Sequence, residues 1–251
     1  MNPPRLSIIT VCFNAEKFIE QTIQSVLRQS YPHIEYILVD GLSTDKTLEI
    51  IERYRPAIFK LISGKDQGLY DAMNKGIDIA TGDYILFLNA DDQLHDEEVI
   101  SHLFSGPGQA DAYYGEAVFM DENGRELGLR SRVTPHQVPR DLTWKSLRFG
   151  MVVSHQAFVI KRDLCLHYNL HYTICSDIDW MIRCLKKCRT VIYQDLIICK
   201  FRIGGKSKQH QTMAWKERFF ILQNHYGFFP NLYHHLIIGL RFLFFRNKSH
   251  R

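Results

Sequence analysis

The sequence predicts an α/β protein with a mostly parallel central sheet flanked by helices, followed by a helical extension at the C-terminus. Runs of consecutive apolar residues, typical of strands buried on both faces, alternate with segments whose apolar residues recur every three or four positions. Right-handed crossovers between such strands produce a parallel sheet. The chain has 251 residues, of which 45% are hydrophobic, and this suffices for a core that needs neither disulfides nor metals.

The first half of the chain predicts four strands and three helices. The strands are Leu6–Cys12, Tyr36–Asp40, Phe59–Ile62 and Tyr84–Asn89, and the helices between them are Glu16–Gln29, Thr44–Tyr54 and Gly68–Ala80. Ligands of such sheets bind beyond the carboxyl ends of the strands. The segments that fall there, and that we expect to form one site, are Cys12–Asn14, Asp40–Asp45, Gly64–Asp66 and Asn89–Asp92.

The second half predicts a more varied set of elements. They are a hairpin of Ala112–Met120 with Glu126–Leu129, a strand at Gln156–Lys161, a helix at Ser176–Lys187, and two edge strands at Val191–Tyr193 and Leu196–Phe201. From Gln211 onward the pattern is helical, aromatic and basic. We therefore divide the chain into a main domain, 1–208, with halves 1–94 and 95–208, and an extension, 209–251.

Composition excludes several classes of protein. The net charge is only +4, with 31 basic residues spread along the chain against 27 acidic ones, so nucleic acid is not an expected partner. The first apolar run is too brief for a secretory signal, and no run of about 18 apolar residues could span a bilayer. Six cysteines without a tight framework fit a reducing compartment. We expect a cytoplasmic protein.

Adjacent carboxylates end the fourth predicted strand, in Asn89–Ala90–Asp91–Asp92. Such carboxylates repel one another, and Mg²⁺ or Mn²⁺ is a usual compensation, with phosphate oxygens and waters as further ligands. Equally, Asp92 could cap a helix that begins near His95–Glu97.

A second acidic segment, Asp40–Asp45, follows the second predicted strand. Ser43 or Thr44 could cap the next helix, and a carboxylate at a strand end also suits a base or ribose. Neither G-x-G-x-x-G nor G-x-x-x-x-G-K-[ST] occurs in the chain, which disfavours ordinary dinucleotide and phosphate-loop sites.

These segments together resemble a known family. The runs SIITVCFNAEKFIEQTIQSVLRQSYPHIEYILVDGLSTDKTLEII and KDQGLYDAMNKGIDIATGDYILFLNADD are similar to glycosyltransferase family 2, which has the Rossmann-like GT-A fold. The resemblance runs from about Leu6 to Leu94 and is closest to bacterial enzymes of surface-polysaccharide synthesis. It implies a metal-dependent, inverting transfer of a sugar from a nucleotide-sugar, usually a UDP-sugar, to a glycan or lipid-linked saccharide.

The resemblance also implies roles for individual residues in the nucleotide-binding half, 1–94. Donor-binding positions would be Thr10, Cys12, Asn14, Asp40, Ser43, Lys65, Asp71, Asn74, Asn89, Ala90 and Asp91. Within this set Asp40 would bind the base, supported by Ser43 and Asp45. Asp91 would ligate Mn²⁺ or Mg²⁺ as the second acid of the family's D-x-D motif, whose first acid is replaced here by Asn89.

The acceptor-binding half, 95–208, carries a second motif. Ser176–Arg183 resembles the family's E-D-x-D-x-x-x-R segment, with Ser176 in place of the Glu. The matching base is Asp177, which would take the proton of the acceptor hydroxyl. Asp179 would replace it if the register differs, and helix capping is the alternative for either residue.

Two further positions carry weaker signals. Ser154–His155–Gln156 resembles a segment that faces the donor or acceptor, although a single histidine such as His155 is more often structural. Gly204–Ser207 resembles a late Gly-Gly-x-Ser loop, whose amides and Lys206 would approach the diphosphate; a surface turn is the alternative. The cluster of Cys165, His167, His171 and Cys175 matches no zinc-ligand spacing.

The segment Tyr233–Arg251 combines apolar and aromatic residues with Arg241, Arg246, Lys248 and Arg251. A basic amphipathic helix of this kind can lie in a membrane interface, where it would bring the site to the inner face of the cytoplasmic membrane. Packing on the catalytic domain, or an interface within a homo-oligomer, remains an alternative.

Two rival functions stay open at this point. A metal-dependent nucleotidyltransferase could use a similar scaffold but would not need a base such as Asp177. A non-catalytic protein that binds sugar nucleotides or serves as a scaffold would explain the departures at Asn89 and Ser176.

Overall fold

A nine-stranded sheet forms the centre of the part of the chain described by the computed structural model, residues 3–106, 109–204 and 211–248. The strands are β1 (Leu6–Cys12), β2 (Ile34–Asp40), β3 (Lys60–Ser63), β4 (Tyr84–Phe87), β5 (Gln93–Leu94), β6 (Ala112–Met120), β7 (Glu126–Leu129), β8 (Phe158–Lys161) and β9 (Val191–Arg202). Their order is β3-β2-β1-β4-β8-β6-β9-β5, and β7 pairs with β6.

Strands β1 to β4 form the predicted parallel unit. β1 pairs in parallel with β2 and β4, and β2 pairs in parallel with β3. All seven residues of β1 are buried, as expected for a strand covered on both faces. Beyond β4 the sheet becomes mixed, because β8 pairs antiparallel with both β4 and β6.

Helices cover this sheet, and all except the short ones at Val99–Leu103 and Arg130–Val133 overlap segments predicted to be helical. They are α1 (Ile19–Leu27), α2 (Thr47–Glu52), α3 (Leu69–Ile79), α4 (Val99–Leu103), α5 (Arg130–Val133), α6 (Ser176–Leu185), α7 (Gln211–Tyr226) and α8 (Phe228–Lys248). In α3 the buried face includes Met73 and Gly76. A side chain at Gly76 would overlap Ile9 of β1, so the glycine allows the helix to approach the sheet closely.

The two predicted edge strands are one strand that lies inside the sheet. β9 runs without a break from Val191 to Arg202 and pairs with β6 on one side and β5 on the other. Its pairing with β6 shifts register around Gly115, where a Cβ would come within 2.5 Å of the carbonyl oxygen of Leu196. Between the pairs Tyr114–Tyr193 and Glu116–Ile197 the extra residues lie in β9, so a bulge accommodates Gln194–Asp195 between the two predicted strands without a break.

The C-terminal extension packs on the acceptor-binding half. α7 contacts α6, and α8 contacts both α7 and a 3₁₀ helix at Trp144–Phe149. The rings of Trp144 and Tyr226 stack with their centroids 5.6 Å apart. No helix in the described ranges is both long and apolar enough to cross a membrane.

Candidate active site

The Asp40 carboxylate organises the loops at the carboxyl edge of the sheet. It is fully buried at the end of β2. The Ser43 backbone N–H donates to Asp40 Oδ2 at 3.1 Å, and the Ser63 hydroxyl donates to the same oxygen at 2.7 Å. Asp40 thus joins the ends of β2 and β3 and fixes the turn that follows β2.

The end of β1 lies against the same carboxylate. Cys12 Sγ is 3.7 Å from Asp40 Oδ1, and burial, together with the charge of Asp40, raises the pKa of the Cys12 thiol. Thr10 lies deeper in the sheet, where it is fully buried and accepts a hydrogen bond of 3.2 Å from the Tyr36 hydroxyl. Thr10 thus belongs to the buried part of β1, and its place beside a nucleotide stays a prediction.

Asn14 binds the loop after β1 to the loop after β2. Its side-chain oxygen accepts the Thr44 N–H at 2.8 Å, and its own N–H donates to the Ser43 hydroxyl at 2.9 Å. Its φ of 51° is one that Asn adopts more readily than most residues. The Asp45 carboxylate also accepts a hydrogen bond from the Glu16 N–H, so the two loops form one unit.

The loop after β3 packs against this unit. A Cβ at Gly41 would come within 2.5 Å of Asp66 Oδ2. Asp66 also accepts the Gly68 N–H at 2.9 Å, and Asp71 accepts the Gln67 N–H at 3.0 Å. These two carboxylates shape the turn that leads into α3, while Lys65 at its start is exposed.

Asn74 connects α3 to the acceptor-binding half. Its side-chain amide donates to the Tyr168 carbonyl oxygen at 3.1 Å and accepts the Tyr168 N–H at 2.7 Å. Both the NH₂ group and the oxygen of the Asn74 side chain are therefore hydrogen-bonded to the backbone of Tyr168. The structure places Asn74 at the junction between the two halves of the main domain.

Asp92, the last residue of the Asn89–Asp92 segment, points into the protein. Its oxygens accept the Gln156 amide and the Arg202 N–H, each at 2.9 Å. Burial, reinforced by the charge of Asp91, raises the pKa of Asp92 well above its usual range. Capping by Asp92 was the wrong alternative, because α4 begins only at Val99 and Asp92 instead anchors the end of β9.

Asn89 and Asp91 are the oxygen ligands available to a cation at this edge. Burial raises the pKa of Asp91. The side-chain oxygen of Asn89 is buried and has no hydrogen-bond partner among the described residues. Within those residues no cluster of three His, Cys, Asp or Glu forms a complete metal site. One carboxylate and one amide oxygen fit Mg²⁺ or Mn²⁺, which commonly take further ligands from substrate phosphates and water. Ala90 between them is buried.

Asp177 lies in the first turn of α6, next to the start of α3. The Tyr70 hydroxyl donates to the Ile174 carbonyl oxygen at 2.8 Å and lies 3.5 Å from Asp177 Oδ1. His155 Nδ1 is 3.7 Å from Asp177 Oδ2, and 24% of the Asp177 side chain is exposed. Since α3 follows the loop after β3, Asp177 lies at the same edge of the sheet as the donor loops.

His155 is buried beside this carboxylate. Its other ring nitrogen, Nε2, is also buried and has no hydrogen-bond partner in the described part of the chain. His155 therefore contacts Asp177, and its place on the donor or acceptor side stays a prediction.

Asp179 faces away from this site. Its Oδ2 accepts Arg183 Nε at 2.7 Å, and its Oδ1 lies 2.8 Å from His225 Nε2 of α7. Burial acts to raise the pKa of Asp179, but the bonds to His225 and Arg183 outweigh it and hold the pKa below its usual value. With 5% of the residue exposed, Asp179 joins two helices and is not placed to receive an acceptor proton.

Sequence reasoning missed the contribution of Glu217 on α7. Its carboxylate accepts the N–H groups of Thr173, Ile174 and Cys175 at 2.8 to 2.9 Å and the Thr173 hydroxyl at 2.9 Å. This segment leads directly into α6 and Asp177. A signal was present, because Glu217 is the only acidic residue in 211–251. Lys206 lies outside the described residues.

The fold and these motifs agree with the comparisons to known proteins. The sequence model described as glycosyl transferase family 2 matches residues 7–166. The chain belongs to glycosyltransferase family 2. A PGL/p-HBAD biosynthesis glycosyltransferase of Mycobacterium tuberculosis is 32% identical over 218 residues, covering 82% of this chain and 80% of the relative. An uncharacterised glycosyltransferase of Haemophilus influenzae is 28% identical over 94% of this chain and 96% of its own.

Solved structures share the fold. Staphylococcus aureus TarS 1–349 in complex with UDP matches 87% of this chain and 64% of its own, with a TM-score of 0.65 and 18% identity. The Pyrobaculum calidifontis mannosyltransferase PcManGT, in complex with GDP-Man and Mn²⁺, matches 87% of this chain and 61% of its own, with a TM-score of 0.57 and 18% identity. The expected GT-A fold is confirmed, and the protein is a glycosyltransferase.

Proposed function

We propose that the protein transfers a sugar from a UDP-sugar to a hydroxyl of a glycan or lipid-linked saccharide in polysaccharide biosynthesis, with inversion at the anomeric carbon and with Mn²⁺ or Mg²⁺. The observation that carries this proposal is the position of Asp177. It is a partly exposed carboxylate at the edge of the sheet where the donor loops end, and α3 connects it to them through Tyr70.

The donor would lie over the loops that Asp40, Asn14 and Asp66 hold together. TarS and PcManGT are described in complexes with UDP and GDP-Man, respectively, which supports a nucleoside diphosphate sugar at this edge. Asp91 and Asn89 would hold the divalent cation. When bound, the cation supplies positive charge that stabilises the departing diphosphate.

The acceptor would approach from the side of α6. Asp177 takes the proton of the acceptor hydroxyl as that oxygen attacks the anomeric carbon, a task for a positioned carboxylate. His155 Nδ1, 3.7 Å from Oδ2, orients the carboxylate. The bond of Asp177 Oδ1 to the Ile178 N–H, at 2.9 Å, holds its other oxygen.

The extension would contact the inner face of the cytoplasmic membrane. The exposed side chains of α8 recur at steps of three or four residues and form one face: Phe229, Leu232, Tyr233, Leu236 and Leu240. An apolar helix face beside basic residues is typical of helices that lie in a membrane interface. This arrangement would suit a lipid-linked acceptor. The alternative is that a second copy of the chain packs on this face of α8.

The test is binding and slow hydrolysis of UDP-, GDP- and dTDP-sugars with Mn²⁺, Mg²⁺ or EDTA. Asp91→Ala should abolish metal-dependent binding. Asp177→Asn should retain binding but lower the transfer rate by about 10²- to 10⁴-fold, the usual contribution of a general base. Asp163→Asn, at an exposed carboxylate on the surface, is the matched control. Absence of binding to any donor, or full transfer by Asp177→Asn, would contradict the proposal.

A further inference from the structure

The extension carries a positive charge that its own residues do not balance. Residues 211–251 contain six Lys and Arg but a single acidic residue, Glu217. The Glu217 carboxylate is engaged by the segment before α6. The basic side chains of α7 and α8 therefore lack a carboxylate partner within the extension itself.

Two of the arginines converge on one aromatic ring. The guanidinium carbons of Arg148 and Arg241 lie 4.9 and 4.7 Å from the centroid of the Phe149 ring. His234 packs edge-on against the same ring, with centroids 5.1 Å apart. Neither arginine forms a salt bridge with any described residue, and both are exposed.

Arg218 of α7 connects this cluster to the segment that carries Asp177. It contacts the Cys175 thiol, two residues before Asp177. Its guanidinium carbon lies 4.7 Å over the Trp215 ring, while its Nε is buried and has no hydrogen-bond partner among the described residues. A buried hydrogen-bond donor without an acceptor destabilises the fold. A ligand oxygen that accepts from Arg218 Nε would remove this cost.

The charges of Arg218 and Arg241 act on the same histidine, His136. His136 Cε1 is 3.6 Å from the position of a Cβ at Gly150, next to Phe149. Burial and the charges of Arg130, Arg218 and Arg241 lower the pKa of His136 to about 4. His136 is therefore uncharged at neutral pH, whereas the arginines keep their positive charge.

We infer that Arg148, Arg218 and Arg241 form a binding site for a phosphate group of the acceptor, beside the segment that carries Asp177. A guanidinium group can donate two parallel hydrogen bonds to two oxygens of one phosphate. Positively charged guanidinium groups that lie close together without carboxylates are stabilised by a bound anion. The exposed face of α8 includes Leu240, which is next to Arg241 in the sequence, so a ligand that joins a phosphate to an apolar chain would contact both. This inference rests on the proposed function, because Asp177 marks the acceptor side.

The test is calorimetric binding of farnesyl diphosphate and of inorganic pyrophosphate to the full chain in EDTA, which disfavours the metal-dependent donor site. Arg148→Gln, Arg218→Gln and Arg241→Gln should each weaken farnesyl diphosphate binding by about tenfold, as expected for one charged hydrogen bond. Arg28→Gln, at an exposed arginine directly after α1, is the control and should bind normally. Tighter binding of farnesyl diphosphate than of pyrophosphate would identify a lipid phosphate as the ligand, and equal binding a free phosphate.

Several results would overturn the site. The first is unchanged binding in all three arginine variants. The second is loss of probe binding in Asp91→Ala, which would place the probe in the donor site. The third is an effect of the arginine variants only on binding to phosphatidylglycerol vesicles, which would assign these arginines to contact with the bilayer. Arg148 and Arg241 are exposed, so their variants remain informative if Arg218→Gln fails to fold. UDP-sugar binding with Mn²⁺, measured on the same variants, separates failure of this site from failure of the proposed function.

Discussion

Glu217 joins the extension to the segment that leads into Asp177, and replacing it by Gln tests whether this contact positions the proposed base. Gln keeps the length of the side chain but places an NH₂ group where a carboxylate oxygen accepted hydrogen bonds. Two of the four donors, either the Thr173 pair or the N–H groups of Ile174 and Cys175, would then face another donor. The segment leading into Asp177 would keep only half of its hydrogen bonds to this side chain of α7.

The expected cost follows from these bonds. A hydrogen bond to a charged group contributes about 1.5–3 kcal/mol, and two are lost. Because the site is partly exposed, water compensates for some of the loss. We therefore expect Glu217→Gln to lower the free energy of unfolding by about 2–4 kcal/mol. A shift of about 1 Å in Asp177 would lower kcat by about 10²-fold, with a smaller change in the KM for the donor.

The assay compares urea unfolding and transfer kinetics of Glu217→Gln with those of Glu49→Gln, at an exposed glutamate of α2. Stability equal to that of the control would refute the anchoring role. A destabilised variant that retains full kcat below its unfolding transition would show that Glu217 supports the fold without positioning Asp177.

Two further predictions concern helix packing. Asp179→Asn should weaken the contact of α6 with His225 and cost about 2 kcal/mol at neutral pH. The folded-state pKa of Asp179 is lowered, so the stability that its carboxylate contributes is present above the usual Asp pKa and is lost as the pH falls through the folded-state pKa. The free energies of unfolding of the wild type and of Asp179→Asn, measured by urea titration, should therefore converge in acid. Gly76→Ala should lower the free energy of unfolding by about 2 kcal/mol, because the new methyl group would overlap the stiff Ile9 side chain. Gly239→Ala, with no atom within 4 Å of a new Cβ, should leave the midpoint of thermal unfolding unchanged or raised, and equal effects at both glycines would refute the packing argument.

The residues that local patterns predicted well are those whose neighbours in the sequence decide their structure. β1 and β2 are continuous apolar runs, and a run buried on both faces needs no distant partner to be recognised. The polar segments after these strands were placed correctly at one edge, because parallel strands bring their carboxyl ends together. The family resemblance rests on the same stretch.

Positions that depend on distant partners were not predictable in this way. Asp91 and Asp92 are adjacent in sequence, yet Asp92 is drawn inward by Gln156 and Arg202, which lie 64 and 110 residues away. Likewise Asp177 and Asp179 share one helical turn, and only the docking of His225 from α7 assigns Asp179 to packing. Periodicity contains no information about such partners.

The sequence by itself thus determined the strand–helix alternation, the edge where the site lies and the residue types available there, since these follow from burial and local backbone preference. Tertiary structure alone decided which carboxylate is left accessible. A buried carboxylate must find donors, and for Asp92 and Asp179 these include Arg202 of β9 and His225 of α7, both late in the chain. The extension that the sequence had set apart from the main domain therefore contacts α6 and the segment before it.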